Sequence, residues 1–390
     1  MHESSYPLRP TWLEINADAI ASNVKQLRRH LAPNCELMAV VKANAYGHGA
    51  IGVAKTVLKA GASRLAVATL SEAIELRLSG IQAPILVLGY TPTRLASEAI
   101  QHRITLTVYD LENVMALQQA SVTANQSAIV HVKINTGMNR LGLSTQDAPP
   151  FLHAIQNCTS VKVEGIFTHF ATSDLADKSF ANLQFRRFTD LLDLLAQTGL
   201  CPPIAHVANS AAILTMPHTH LQMVRAGIAL YGLHPDAEQT RLPETFQPAL
   251  TWKAQIAHLL NIQPGDSISY GQEYVANQPT TVAVMPVGYA DGFPRTVHNW
   301  QHVLIAGQTA PIIGRICMDQ TMVDVTRIVM HHGSLAQGDE IVLIGRQGTA
   351  EISVDEIARR LQTNNYDVVS RILSRIPRIF VDQENHYVSP

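Results

Sequence analysis

The chain has 390 residues, 46% of them hydrophobic and 15% charged, which suits two domains with sizeable cores and excludes a disordered polymer. Its 29 basic and 31 acidic side chains nearly cancel, to a formal charge of −2, so neither nucleic acid nor an anionic membrane surface is an expected partner and small-molecule chemistry is left. The leading MHESSYPLRP has no signal pattern and no stretch approaches a bilayer-crossing length, so a cytoplasmic location is expected.

Along the chain, short β-rich runs recur at 37–42, 63–69, 84–90, 104–109, 128–135, 161–169, 204–209 and 222–225, many of them separated by amphipathic helical segments. The first, LMAVVK, ends on Lys42 and runs into Tyr46, Gly47, His48 and Gly49. A lysine at the mouth of a buried strand is partly desolvated, which lowers its pKa and frees an amine for carbonyl chemistry; a lysine snorkelling from a strand end is the alternative. Leu183, Phe185, Phe188, Leu191, Leu192 and Leu195 fall close to helical spacing in a run that ends at Gly199. Eight such strands alternating with helices predict a (β/α)8 barrel, with a doubly wound open sheet as the alternative.

The character changes after Leu242-Pro243. TWKAQIAHLL, TTVAVMPVG, HVLIAG and IVLIGR are strand-like and are joined by turns such as Gln263-Pro264-Gly265-Asp266, predicting a mostly antiparallel β-domain over 244–390 behind a barrel over 1–243. One helix is signalled there by a Ser353/Glu356 capping box, and the tail after Arg378 reads as a final strand with a frayed end. Cys35, Cys158, Cys201 and Cys317 lack a CxxC pair and read as reduced and mostly buried. His218, His220, His331 and His332 read as solvated loop residues, so no metal site is expected.

A barrel carries its chemistry at the C-terminal ends of its strands. Lys42 ends the first predicted strand, Arg140 follows the fifth, His169 ends the sixth, Asn209 and Ser210 follow the seventh, and Arg225 ends the eighth. Ser210 with the amides of Gly227 and Ile228 suits an anion such as phosphate, although Ser210 reads equally as a helix N-cap.

The segments VVKANAYGHG, KINTGMNRLG, GIFTHFATSD, ANSAA, VRAGIALYG, SYGQEY, GYADGFPR and GRICMDQTMVD occur in the order found in alanine racemases, and over nearly its whole length the chain resembles that family. The resemblance implies pyridoxal 5'-phosphate attached through Lys42, interconversion of L- and D-alanine for cell-wall peptidoglycan, and a homodimer with shared active sites. It implies Tyr46 and Tyr366 at the phosphate, and Tyr270 of the partner subunit as the base opposite Lys42. Arg140 and the amide of Met318 would hold the substrate carboxylate. Lys133 stands where some members carry a carbamate, a simple ion pair being the other reading. Asp319 would steady the Met318 loop, and Tyr289, Asp174, Arg295 and Arg315 would lie at the entrance. Arg225 would face the pyridine nitrogen with His169 orienting it, and a side chain that can only donate keeps that nitrogen unprotonated, favouring racemisation. A decarboxylase of related fold and a cofactor carrier without catalysis are the competing functions; Arg225 opposes the first and the β-domain the second. The residues do not choose between alanine and serine as substrate.

Overall fold

The computed structural model describes residues 8–295 and 300–382; most of MHESSYPLRP and the expected frayed tail fall outside the described residues. The chain forms two compact units. One comprises Ala19–Ala45 and Ala50–Gln247; the other comprises the segment ending at Asp18, Tyr46–Gly49, and the segment from Pro248 onward. The predicted division at 243/244 contains neither the leading segment's place with the C-terminal one nor the four-residue excursion at Tyr46.

The cause of the first difference is a strand that periodicity did not reveal. Strand β1 (Thr11–Asn16) pairs antiparallel with Leu250–Gln255 and parallel with Arg378–Val381. It therefore lies between two strands distant in sequence.

The larger unit is a closed parallel barrel of β2 (Glu36–Val40), β3 (Arg64–Val67), β4 (Ile85–Val87), β5 (Thr105–Val108), β6 (Ala128–Lys133), β7 (Val161–Phe167), β8 (Ile204–His206) and β9 (Met223–Ala226). These are the eight predicted runs, and β9 closes on β2 with Met38 opposite Arg225. Leu37, Ala39, Leu65, Val67, Ile85 and Val224 are fully buried, as expected for strands covered on both faces. Between β6 and β7 the register slips: Val130 pairs with Val163, but His131 pairs with Gly165, leaving Glu164 as a bulged residue.

The predicted helix ending before Gly199 spans Ser179–Gln197. It buries Phe188, Leu191 and Leu195 but turns Leu183 outward and Gln184 inward, because 184, 188, 191 and 195 are the positions on one face. Gln184 is satisfied there: its carbonyl accepts from Ala171 N (2.8 Å) and its amide donates to His169 O (3.1 Å), fixing the loop after β7.

In the smaller unit ten of the described strands form a mostly antiparallel sheet, and Ser267–Ile268 pairs with Tyr274–Val275 as a separate two-stranded one. TWKAQIAHLL divides into Leu250–Gln255 and His258–Ile262. The turn at Gln263–Asp266 closes with Asp266 N donating to Gln263 O at 3.0 Å. Only half of the expected capping box forms. Ser353 Oγ accepts from Glu356 N, whereas the Glu356 carboxylate pairs with Arg360. Helices at Thr326–His332 and Asn365–Ser370 carried no sequence signal strong enough to be predicted.

Two surface assignments change. His220 is buried, with Nε2 3.0 Å from Ile213 O, and of the four free cysteines only Cys35 and Cys158 are buried, Cys201 being exposed. Among the described residues no helix is long and apolar enough to cross a membrane.

Gly47 has φ +82°, and a Cβ there would lie 2.2 Å from Val369 O. Gly47→Ala should therefore destabilise the fold by at least ~2 kcal/mol, seen as a lower denaturation midpoint; an unchanged midpoint would contradict the close approach.

Candidate active site

Strand β2 stops at Val40, two residues before Lys42, where Tyr231 Oη donates to Val40 O (2.9 Å). Ala43, Asn44, Ala45 and Tyr46 then all adopt φ near +52° to +53°. A run of four non-glycine residues in the left-handed region costs ~1–2 kcal/mol per residue, so other contacts must impose it. Glu72 does much of this. One carboxylate oxygen accepts from Ala43 N (2.6 Å) while the other accepts from Ala68 N and Thr69 N (2.7 and 3.1 Å), within the capping box of helix Leu70–Leu78. Asn44 Oδ1 accepts from Ala50 N (2.8 Å). The Lys42 ammonium is held below its ordinary pKa chiefly by burial, then by Arg140 and Arg225, with Glu72 acting the other way.

Arg225 is buried at 4% exposure and has no carboxylate partner among the described residues. Its Nη2 donates to Thr168 O (2.8 Å), Val207 O (3.0 Å) and His169 Nδ1 (3.1 Å), and its Nη1 to His206 Nδ1 (2.8 Å) and His206 O (3.1 Å). Burial draws its pKa down to about 9. His169 is pushed well below the usual histidine range by desolvation and then by Arg225, so it accepts from Arg225 as a neutral ring.

Lys133, the last residue of β6, is buried with its Nζ 4.9 Å from the Phe167 ring centroid and 3.3 Å from Ile134 O. No carboxylate pairs with it among the described residues, and burial, then Arg225 and Arg140, press its pKa well below normal. Arg140 is exposed in the loop after β6.

Beyond β8 the N-cap falls one residue earlier than expected. Asn209, not Ser210, is the N-cap, its Oδ1 accepting from Ala212 N (3.0 Å) and from Ser173 Oγ (2.9 Å). Ser210 is the first residue of that helix, and its Oγ accepts from Gly227 N (2.9 Å) and Ala229 N (3.3 Å). With both acceptor sites used, the hydroxyl proton is left to donate. Gly227 precedes the turn Ile228–Tyr231. Asp174 is held through its carbonyl by Thr240 Oγ1 (2.6 Å).

The smaller unit holds the remaining expected residues. The rings of Tyr46 and Tyr366 lie 6.0 Å apart, and burial raises the Tyr46 pKa. Tyr270 is 69% exposed on a tip where Ser269, Gly271 and Gln272 all have positive φ and Ser269 Oγ donates to Arg315 O (2.6 Å). Arg315 pairs with Glu273. Met318 is exposed; Tyr289 N donates to Cys317 O (3.1 Å) and Ala290 N to Met318 O (3.0 Å), joining the GYADG and CMDQ segments. Asp319 pairs with Arg375 (2.6 Å), which also reaches the buried Asp291 (2.9 Å), itself bound by Arg9. Arg295 lies 5.9 Å over the Tyr289 ring.

Thus the structure brings Lys42, Lys133, Arg140, His169, Asn209, Ser210, Arg225, Gly227 and Ile228 to the C-terminal ends of the barrel strands. Sequence reasoning missed Glu72, Tyr231, His131, His206 and Glu164. Of these only Glu72 left a signal, the Thr69/Glu72 capping-box spacing.

Models of the alanine racemase N-terminal and C-terminal domains match residues 15–235 and 249–380. The alanine racemase of Desulforamulus reducens is 44% identical over 373 residues, covering 95% of this chain and 99% of that protein. The crystal structure of the Bacillus anthracis alanine racemase with bound L-Ala-P superposes with a TM-score of 0.92 at 37% identity, covering 99% of this chain and 98% of that one. The histidine racemase of Leuconostoc mesenteroides subsp. sake gives 0.88 at 30% identity, covering 97% and 100%.

A lysine with a lowered pKa presents more free amine at pH 8 than a surface lysine. Under limiting amine-reactive reagent at that pH, peptide mass spectrometry should find Lys42 modified several-fold faster than exposed Lys25 or Lys55, and equal rates would count against the desolvated environment.

Proposed function

The chain belongs to the alanine racemase family over both its domains, and on that premise we propose that it is an amino-acid racemase that interconverts L- and D-alanine with pyridoxal 5'-phosphate. The observation that carries the reading is Arg225, a buried cation that can only donate, at the end of a barrel strand with no carboxylate beside it among the described residues. The residues present suit the cofactor. Arg140 and Arg225 make the strand ends cationic, matching a phosphate and a substrate carboxylate, and the Ser210 hydroxyl has its proton to give to an anion. When bound, pyridoxal phosphate supplies the carbonyl that takes up an amino group and the conjugated ring that spreads the charge left at Cα.

Lys42 attaches the cofactor and then holds or returns the Cα proton on one face, and Tyr270 of the partner subunit does so on the other. The exposure of Tyr270 supports its serving another copy of the chain, which makes the functional unit a homodimer. Ser210, Gly227, Ile228, Tyr46 and Tyr366 hold the phosphate, with Asn209 capping the helix that begins at Ser210. Arg140 and the Met318 amide bind the substrate carboxylate, while Asp319 and Tyr289 brace the Met318 loop. As a donor only, Arg225 would leave the ring nitrogen of a bound cofactor unprotonated, which would disfavour the stabilised carbanion that decarboxylation and transamination need and would favour quick return of the proton to Cα. Its place would be the cytoplasm, where it would supply D-alanine for peptidoglycan.

Cofactor-loaded protein should form D-alanine from L-alanine, and borohydride reduction should leave a cofactor adduct on the Lys42 peptide. An adduct elsewhere would displace Lys42 from its role. Lys42→Ala and Tyr270→Phe homodimers should each be inactive and regain activity when their subunits are exchanged, since one site of a heterodimer then has both bases. Exchange without recovery would place both bases on one chain.

Lys133 supports the carbamate reading over the ion pair, because burial lowers its pKa and so favours the neutral amine that attacks CO2, and among the described residues no carboxylate pairs with it. Protein equilibrated with 13C-bicarbonate should show a carbamate carbon resonance that Lys133→Ala abolishes; its persistence in that variant would remove Lys133 from the assignment.

A further inference from the structure

Behind Arg225 the barrel interior holds two histidines and a glutamate that the reaction as described does not use. Arg225 Nη1 donates to His206 Nδ1 (2.8 Å), His206 Nε2 lies 2.8 Å from His131 Nδ1, and His131 Nε2 lies 3.1 Å from Glu164 Oε2. Glu164 Oε2 also accepts from Arg64 Nη1 (2.6 Å), and Arg64 Nε reaches Glu36 Oε2 (2.7 Å). The path runs from the penultimate residue of β9 to Arg64 and Glu36, the first residues of β3 and β2.

We infer that His206, His131 and Glu164 form a one-way donor chain that keeps Arg225 a donor and gives it, two imidazoles away, the counter-charge it lacks in direct contact.

The direction follows from Arg225 alone. A guanidinium has no acceptor, so His206 Nδ1 must offer its lone pair and the single proton of a neutral ring sits on Nε2. His131 Nδ1 then has to accept, which puts the His131 proton on Nε2, aimed at the Glu164 carboxylate. Reversing either ring sets two N–H groups against each other, as does protonating either ring twice. Full burial of both rings favours the neutral forms, and the Glu164 carboxyl, bonded by His131 and Arg64, stays ionised.

Two independent features show that the arrangement is built. The β-bulge re-aims Glu164 out of the regular alternation of β7, so that it reaches His131. The next residue is glycine, and a Cβ on Gly165 would lie 2.5 Å from His131 Cε1 and Nδ1. His206 is in turn clamped by Phe167, whose ring stacks on it at 4.7 Å and 5°. These three are positioning residues. Their consequence for reaction specificity rests on the racemase reading; the proton arrangement does not.

The test is a long-range 15N–1H correlation spectrum of 15N-histidine-labelled protein without cofactor. His206 and His131 should both be Nε2–H tautomers from pH 6 to pH 8. Glu164→Gln, which keeps an acceptor but loses the charge, should move the Nε2–H resonances of both rings upfield, and Glu164→Asp should restore them in part. In the cofactor-loaded Gln variant, transamination events per racemisation turnover should rise on the order of tenfold, through kcat with little change in KM for alanine. An Nδ1–H or doubly protonated ring in the wild type overturns the inference, as does a Glu164→Gln spectrum in which His131 moves and His206 does not. The wild-type spectrum decides the matter even if the variants do not fold. Absence of racemase activity with the expected tautomers would defeat the functional reading and leave the chain standing.

Discussion

A guanidinium sealed inside a barrel, with no carboxylate against it among the described residues, governs the chemistry of everything nearby. Burying a charge is costly unless its hydrogen bonds are met, and Arg225 meets its own with the carbonyls of Thr168, His206 and Val207 and with two imidazole nitrogens. Its field contributes to the lowered pKa of Lys42, Lys133 and His169, though burial is the larger cause in each case. The same constraint accounts for polar side chains where a parallel barrel would otherwise carry only apolar ones. His206 occupies a core position because the arginine needs an acceptor, His131 because His206 needs one in turn, and Gly165 is small because His131 is large.

The other concentrated expense is conformational. The left-handed run after Lys42 persists because its ends are tied. Glu72 anchors Ala43, Asn44 anchors Ala50, and Tyr231 secures the strand just before the turn. A lysine on so constrained a backbone loses little further freedom when its amine is engaged, which is what preorganisation means at this site.

The barrel strands were legible because strands buried on both faces read as apolar runs, and the polar residues at their ends stood out as interruptions. Strand β1 was not, since TWLEIN is short and its partners, Leu250–Gln255 and Arg378–Val381, lie more than two hundred residues away. The apolar stripe of the helix before Gly199 misplaced Leu183 because hydrophobicity was counted where geometry selects Gln184. Ser210 against Asn209 shows a boundary uncertainty of one residue, enough to exchange a cap for the first helical residue. Histidines at 131 and 206 look unremarkable within AIVHVKIN and IAHVAN, for a hydrogen-bond chain across a barrel has no signature along the chain.

The position of β1 bears on how the molecule is made. All eight barrel strands lie between Glu36 and Ala226, so that unit can assemble while later residues are still being translated. Strand β1 leaves the ribosome before any of them, yet its neighbours are made only after the barrel strands, the antiparallel one at Leu250–Gln255 and the parallel one ending at Val381. Until Leu250–Gln255 has emerged it is an unpaired strand with Trp12, Leu13 and Ile15 uncovered, a transient liability to association, and its second edge is covered only when Arg378–Val381 arrives.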